Sequence, residues 1–103
     1  MEDLEGKKMN ERIRERIIDL NPEALFMDGI DGDKFSFDDA IVGIASRCAM
    51  SHIIVYSESK VLDILMNKYD MTDLEAIEWY DYNMMGSYVG EGTPLFLNDI
   101  EEY

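Results

Sequence analysis

Two β-rich runs close together in the chain most strongly limit the folds open to it. Ala40–Ala45 and His52–Tyr56 are rich in β-branched residues, and a short segment centred on Arg47–Ser51 separates them. Runs this close in sequence predict an antiparallel hairpin. Gly43, inside the first run, indicates either a β-bulge or a close backbone approach. The fold must therefore include a sheet.

Apolar residues at intervals of three and four predict helices on both sides of this hairpin. The first is expected over about 9–20, with its charged residues, Arg14 among them, on the outer faces. Acidic residues offset its arginines, so this helix is not expected to bind nucleic acid. A second helix is predicted over about 58–69, starting at Ser57–Glu58.

The third predicted helix, over about 73–85, begins with a capping signature. Thr72 lies three residues before Glu75, which is the spacing of a T-x-x-E capping box, and Gly86 is expected to end the helix. Asp81 falls among the apolar positions, where a carboxylate needs a partner or access to water. The apolar stripe expected to face the core is Leu74, Ile77, Tyr80 and Met84.

Further short strands are predicted over 87–89 and 94–97, and a short strand or an extended entry over 23–30. The fold class is accordingly α+β: a small antiparallel sheet of four or five short strands with about three helices packed on it. A chain of 103 residues is expected to form a single domain. Within it we expect an N-terminal amphipathic helix (1–22), an α+β core (23–97) and an acidic tail (98–103).

The charge of the chain is strongly negative and unevenly distributed. It has 23 acidic and 9 basic residues, a net charge of −14. Residues 1–50 carry a net charge of −5 and residues 51–103 a net charge of −9, and no Lys or Arg follows Lys68. Such a field repels nucleic acid and anionic membranes and attracts basic proteins or cations.

Other features argue for a cytoplasmic, non-catalytic protein. Cys48 is the single cysteine, the N-terminus lacks the apolar segment of a secretory signal, and no apolar run is long enough to span a membrane. Cys48 and His52 resemble a nucleophile pair, but a reactive thiolate needs a basic environment, and Arg47 is the nearby base. We therefore expect no enzyme activity and no cofactor.

Two sets of residues are candidates for binding. An acidic surface that meets a basic partner is expected at Asp70, Asp73, Glu75 and Glu78. The alternative is a ligand or divalent-metal site formed by Asp38, Asp39, Asp81, Asn83, Glu91 and Thr93. The Asp-rich loop over 28–39 departs from the EF-hand pattern, so whether it binds a cation stays open at this stage.

Several motifs together resemble a family of small acidic uncharacterised proteins of tailed bacteriophages. The resemblance covers roughly 24–96 and rests on Asp38-Asp39, Glu75-Ala76, Asp81-Tyr82-Asn83 and the GEGTP turn at 90–94. It implies a phage origin and a location in the host cytoplasm, and it indicates no particular activity.

The predicted function is that of a non-catalytic, phage-type accessory protein that binds a host or phage protein through its acidic surface. Inhibition of that partner and partial mimicry of DNA are two forms this function can take. The expected partner is a basic or nucleic-acid-handling protein, with no direct binding to nucleic acid or to membrane. A small-ligand or divalent-metal-binding domain is the alternative, and a homo-oligomer is a further expectation.

Overall fold

The computed structural model describes residues 4–48, 50–86 and 90–98. Its α+β class and its three α-helices agree with the sequence prediction. In chain order the elements are α1 (Leu4–Leu20), a 3-10 helical turn (Asp38–Ala40), β1 (Ile41–Arg47), β2 (Met50–Ser57), α2 (Glu58–Asn67), α3 (Asp73–Tyr80), a π-helical turn (Asp81–Met85) and β3 (Leu95–Leu97).

The three strands form one mixed sheet in the order β1-β2-β3. β1 and β2 form the predicted antiparallel hairpin, whereas β2 and β3 are parallel. The prediction of a purely antiparallel sheet was therefore wrong. The physical reason is the crossover: α2 and α3 intervene between β2 and β3, and a helical connection allows two neighbouring strands to run in the same direction.

The prediction of four or five strands is not confirmed, since the described residues contain three. The segment over 23–30 is not a strand. Its N–H groups bond to different parts of the molecule instead of to one neighbouring strand: Leu25 N–H donates to Gly92 O (3.2 Å) and Met27 N–H to the Tyr56 hydroxyl (2.8 Å). The strand predicted at 87–89 and most of the acidic tail, 99–103, lie outside the described residues.

The β1–β2 register shifts between Ile41 and Gly43. Gly43 is exposed, and a Cβ built on it would meet no heavy atom within 4 Å. Of the two interpretations of this glycine, the irregular register therefore applies and the close backbone approach does not. The regular part of the pairing is short, from Gly43 opposite Val55 to Ala45 opposite Ile53.

The core lies between the sheet and the helices. Tyr56 of β2 stacks on Phe96 of β3 at a centroid separation of 5.9 Å, and Tyr80 meets Phe96 edge-on at 5.5 Å. Aromatic pairs of this kind add to the free energy gained by burying their surface. The three α-helices, β2, the π-helical turn and the segment just before β1 supply the buried side chains of the core: Ile17, Phe37, Ala40, Ile54, Tyr56, Val61, Leu65, Ala76, Tyr80 and Met84.

The predicted start of α2 at Ser57–Glu58 is confirmed. The Ser57 side chain accepts a hydrogen bond from Lys60 N–H at the start of this helix.

Within the described part of the chain, no helix is both long enough and apolar enough to cross a membrane.

Candidate functional site

The start of α3 is fixed by a complete capping box. Glu75 N–H donates to the Thr72 hydroxyl (3.2 Å), and Thr72 N–H donates to Glu75 Oε1 (2.9 Å), as the T-x-x-E spacing predicts. Asp70, in the connection from α2, has a φ of 56°, a left-handed conformation that Asp tolerates better than most residues. These features hold α3 in place relative to the end of α2.

The face of α3 that packs on the core differs from the predicted stripe. Ala76, Tyr80 and Met84 are buried, but Leu74 is 65% exposed and Ile77 45% exposed. The prediction that Leu74 and Ile77 face the core was therefore wrong. The small side chain of Ala76 lies against the core, and Leu74 and Ile77 are carried to the solvent side.

A π-helical turn extends α3 and adds two further exposed side chains. Gly86 N–H bonds to Asp81 O, five residues back, at 3.1 Å. Tyr82 is 83% exposed and Met85 55% exposed on this turn. Gly86 ends the turn as predicted, although not through a positive φ: a Cβ there would lie 2.9 Å from the Tyr82 carbonyl oxygen.

A shallow open groove of about 350 Å³ runs beside α3, and we call it the α3 groove. It is lined by Met71, Glu75, Glu78 and Trp79. Trp79 is half-buried and stacks on the core residue Phe37 at 5.9 Å, so this wall of the groove is in contact with the core. Apolar walls and two carboxylates thus meet in one depression.

The structure separates the four predicted partner-binding residues. Glu75 and Glu78 line the α3 groove, whereas Asp70 and Asp73 are exposed beside it without lining it. The bond from Thr72 N–H lowers the pKa of Glu75, so this carboxylate also serves the fold. Across residues 4–48, 50–86 and 90–98, no Lys or Arg forms an ion pair with Asp73, Glu75 or Glu78.

Asp38, from the alternative ligand set, belongs to an ion pair with α1. Its carboxylate accepts two hydrogen bonds from Arg14, at 2.6 Å from Nε and 2.8 Å from Nη2, and its side chain is 1% exposed. The Arg14 guanidinium also lies 4.2 Å from the Phe26 ring centroid and 4.5 Å from that of Phe35. Burial raises the pKa of Asp38, and Arg14 opposes that rise.

Arg14 was expected on the outer face of the first helix, and this prediction was wrong. The side chain reaches inward because Asp38 and two aromatic rings provide both charge and stacking. The sequence contained a signal that the helical periodicity obscured: Arg14 lies directly beside the apolar position Ile13, at the border of the buried face.

The other five residues of the ligand set bond to nearby groups of the chain or are exposed. Asp39 accepts from Asn10 Nδ2, Asn83 donates to Trp79 O, and the Thr93 hydroxyl donates to Gly90 O. Asp81 and Glu91 are exposed; Asp81, expected within the apolar arc, thus reaches water. None of the six lines the α3 groove or the apolar groove between α1 and β1.

The Asp-rich loop over 28–39 contains a cation from the chain itself. Lys68 Nζ lies 3.1 Å from Asp33 Oδ2 and 3.8 Å from Asp31 Oδ2, and donates to Ser36 Oγ. A bond from the Tyr69 hydroxyl lowers the pKa of Asp31, and one from Phe35 N–H lowers that of Asp33. Among the described residues, no three His, Cys, Asp or Glu side chains are grouped to hold a metal ion.

No protein-family model, curated protein or solved structure matches this chain. The resemblance to a phage family therefore stays a prediction.

Proposed function

We propose that this chain is a non-catalytic protein-binding module that docks a basic, amphipathic segment of a partner protein onto α3. The proposal rests on two kinds of side chain that occur together on α3. Leu74 and Ile77 are apolar and exposed. Asp73 and Glu78 are carboxylates that form no ion pair with a Lys or Arg of the described residues.

The α3 groove suits the side chain of a lysine or an arginine. Met71 and Trp79 offer apolar surface to its methylene groups, and Glu78 offers a carboxylate to its charged end. A cation over the indole ring gains a further electrostatic attraction. Apolar residues of the same segment would then cover Leu74 and Ile77, which is how amphipathic helices commonly bind proteins.

This surface favours binding of a protein segment over mimicry of DNA. DNA presents phosphates at regular intervals along a polar backbone, whereas apolar side chains alternate with the carboxylates of α3. A phage-type accessory protein that inhibits a basic or nucleic-acid-handling host protein fits the sequence resemblance and this surface together. Partial DNA mimicry is the less favoured form of the same proposal.

The single tryptophan gives a direct test, because Trp79 lines the groove itself. The probe is a synthetic amphipathic helix of Lys and Leu, titrated while Trp79 fluorescence is recorded. We expect saturable binding that weakens as salt rises, because the attraction is partly electrostatic.

Glu78→Lys should weaken this binding by about tenfold or more, equivalent to the 1.4 kcal/mol or more expected from reversing a contacting charge. Asp63→Lys is the matched control: Asp63 is exposed on α2, the net charge changes equally, and the groove is untouched. Equal weakening by both variants would show a general charge effect and overturn the proposal. In a second experiment, basic proteins captured from a bacterial lysate take the place of the synthetic Lys/Leu helix.

A further inference from the structure

The exposed side of α3 continues onto the π-helical turn as two parallel rows of side chains. On the buried side, Ala76, Tyr80 and Met84 follow one another at intervals of four residues, and residues four apart lie on the same face of a helix. The exposed side chains repeat at the same interval and form two neighbouring rows: Leu74, Glu78 and Tyr82 in the first, and Ile77, Asp81 and Met85 in the second.

The π-helical turn keeps the second row aligned. Gly86 N–H bonds to Asp81 O, five residues back, so this turn holds more residues than an α-helical turn. Four residues then complete nearly one whole turn, and Met85 lies almost directly beyond Asp81 along the helix axis. The turn therefore lengthens the exposed face of α3 and does not redirect it.

Both rows have the same order of side-chain chemistry. A carboxylate lies in the middle, Glu78 in the first row and Asp81 in the second, and an apolar or aromatic side chain lies on either side of it. With the Lys and Arg side chains of the described residues, neither carboxylate forms an ion pair. The two are three residues apart on the helix surface, so their charges repel each other. Asp73 and Glu75 lie outside the rows, on either side of them.

We propose that the partner segment docked on α3 is a helix with a basic central turn and an apolar turn on either side, and that it covers both α3 and the π-helical turn. This inference rests on the function proposed above and specifies its partner. A basic side chain placed between Glu78 and Asp81 neutralises both and removes their mutual repulsion. Apolar side chains one turn before and one turn after it then cover the apolar ends of the two rows.

A helix fits this face better than an extended strand does. Rows at four-residue intervals form ridges and grooves into which the ridges of a second helix pack. From Leu74 to Met85 the face is roughly 16 Å long, or about three helical turns, which matches one basic turn between two apolar ones. An extended peptide commonly binds by adding to the edge of a sheet, and a helix offers no such edge.

Two synthetic helices of identical composition test this order. The first has Lys on the central turn of its binding face and Leu on the turns at either side, whereas the second has Leu in the centre and Lys at both ends. By isothermal titration calorimetry, the first should bind about tenfold more tightly, because only its charges lie opposite Glu78 and Asp81. Equal binding would overturn this inference and leave the docking function in place. Absence of saturable binding by either helix would overturn both.

Asp81→Lys separates the extended face from the α3 groove, because Asp81 is exposed and does not line that groove. The variant should weaken binding of the first helix by about tenfold, since it reverses a central charge. Asp63→Lys, an equal change of net charge at an exposed position of α2, should leave binding nearly unchanged. Unchanged binding in Asp81→Lys, with a loss in Glu78→Lys, would confine docking to the α3 groove and contradict this inference.

Met85→Ser tests whether the partner reaches the π-helical turn. Met85 is 55% exposed, so the fold should tolerate the change, and binding of the first helix should weaken severalfold. Leu97→Ser is the matched control, since Leu97 is 52% exposed on β3, and it should bind as wild type does. Equal binding by the two variants would show that the turn is not part of the surface.

Exchange of the charges provides an independent test. A helix with Glu in place of Lys on its central turn should not bind wild type, but it should bind the double variant Glu78→Lys, Asp81→Lys, whose fold is checked by circular dichroism. A folded double variant that does not bind this helix would show that the central charges do not select the partner.

Discussion

The Asp-rich loop and α3 both carry several carboxylates, but their surroundings differ. In the loop, Lys68 contacts Asp31 and Asp33, and Arg14 contacts Asp38 at the loop's end. On α3, no cation of residues 4–48, 50–86 or 90–98 pairs with Asp73 or Glu78.

The difference separates two uses of the same residue type. A carboxylate with an internal cation stabilises the contact between elements, whereas an exposed one without a cation adds repulsion unless a partner neutralises it. Net charge alone cannot make this distinction. The places of Arg14 and Lys68 in the fold do.

The substitution with the largest expected effect on stability removes the cation from the most buried ion pair, Arg14–Asp38. Arg14→Met should lower the free energy of unfolding by about 3 kcal/mol, since it leaves the Asp38 carboxylate buried without its partner. Urea unfolding measures the loss. Without Arg14, the pKa of Asp38 rises further, so the loss should be greatest near neutral pH and shrink as pH falls and Asp38 takes up a proton.

A double variant provides the control for this result. Combining Arg14→Met with Asp38→Asn removes the unpaired charge, and it should be more stable near neutral pH than Arg14→Met alone. Asp38→Asn is measured alone as well. If the double variant lost as much unfolding free energy as Arg14→Met and Asp38→Asn together, the ion pair would not be the cause of the destabilisation.

Removing the second internal cation should have a smaller effect. Lys68→Met leaves Asp31 and Asp33 facing each other, but these groups are solvent-exposed, so water and salt compensate much of the loss. We expect a measurable drop in unfolding free energy at low salt that narrows at high salt. Lys60→Met, at an exposed position of α2, is the matched control and should have almost no effect.

A third test uses Glu75, the one carboxylate of the α3 groove that also serves the fold. Glu75→Gln keeps a side-chain oxygen for Thr72 N–H but removes the charge. Because the folded-state pKa of Glu75 is lowered, its charged form stabilises the fold above its ordinary pKa of 4.5, and this stabilisation is lost as pH falls.

The melting temperature of wild type should therefore exceed that of Glu75→Gln near neutral pH and approach it below about pH 4.5. Glu78→Gln removes a carboxylate that makes no capping bond, and it should show a smaller difference. An identical pH profile for the two variants would argue against a stabilising role for the Glu75 carboxylate.

Local signals predicted the elements of the fold better than their arrangement. The hairpin and the Thr72–Glu75 capping box depend on neighbouring residues, and both are confirmed. The parallel pairing of β3 with β2 depends on the path of two intervening helices, which no local pattern specifies.

The candidate site shows the same division. The acidic residues of α3 were found from the sequence, but the exposure of Leu74 and Ile77 was not. Leu74, Ile77, Tyr80 and Met84 fit a helical stripe well, yet the stripe that packs on the core is centred on Ala76 and Tyr80. Hydrophobic periodicity favours the larger side chains, whereas the face of α3 that packs on the core presents the small side chain of Ala76.

The smallest expected effect on stability comes from the apolar side of α3. Leu74→Ser and Ile77→Ser should each change the free energy of unfolding by about 0.5 kcal/mol or less, because both side chains are already largely in water. Each should nevertheless weaken binding of the Lys/Leu probe, measured by Trp79 fluorescence. Leu95→Ser, at a side chain 48% exposed on β3, is the control for both readouts and should change neither.

This last pair of measurements decides whether α3 is an interaction surface or only an acidic one. If charge alone attracted the probe, Glu78→Lys would weaken binding while Leu74→Ser and Ile77→Ser left it unchanged, since serine alters no charge. If the apolar residues are part of the surface, all three variants weaken binding and the serine variants keep the salt dependence of wild type. A marked loss of stability in the serine variants would instead assign Leu74 and Ile77 to the fold.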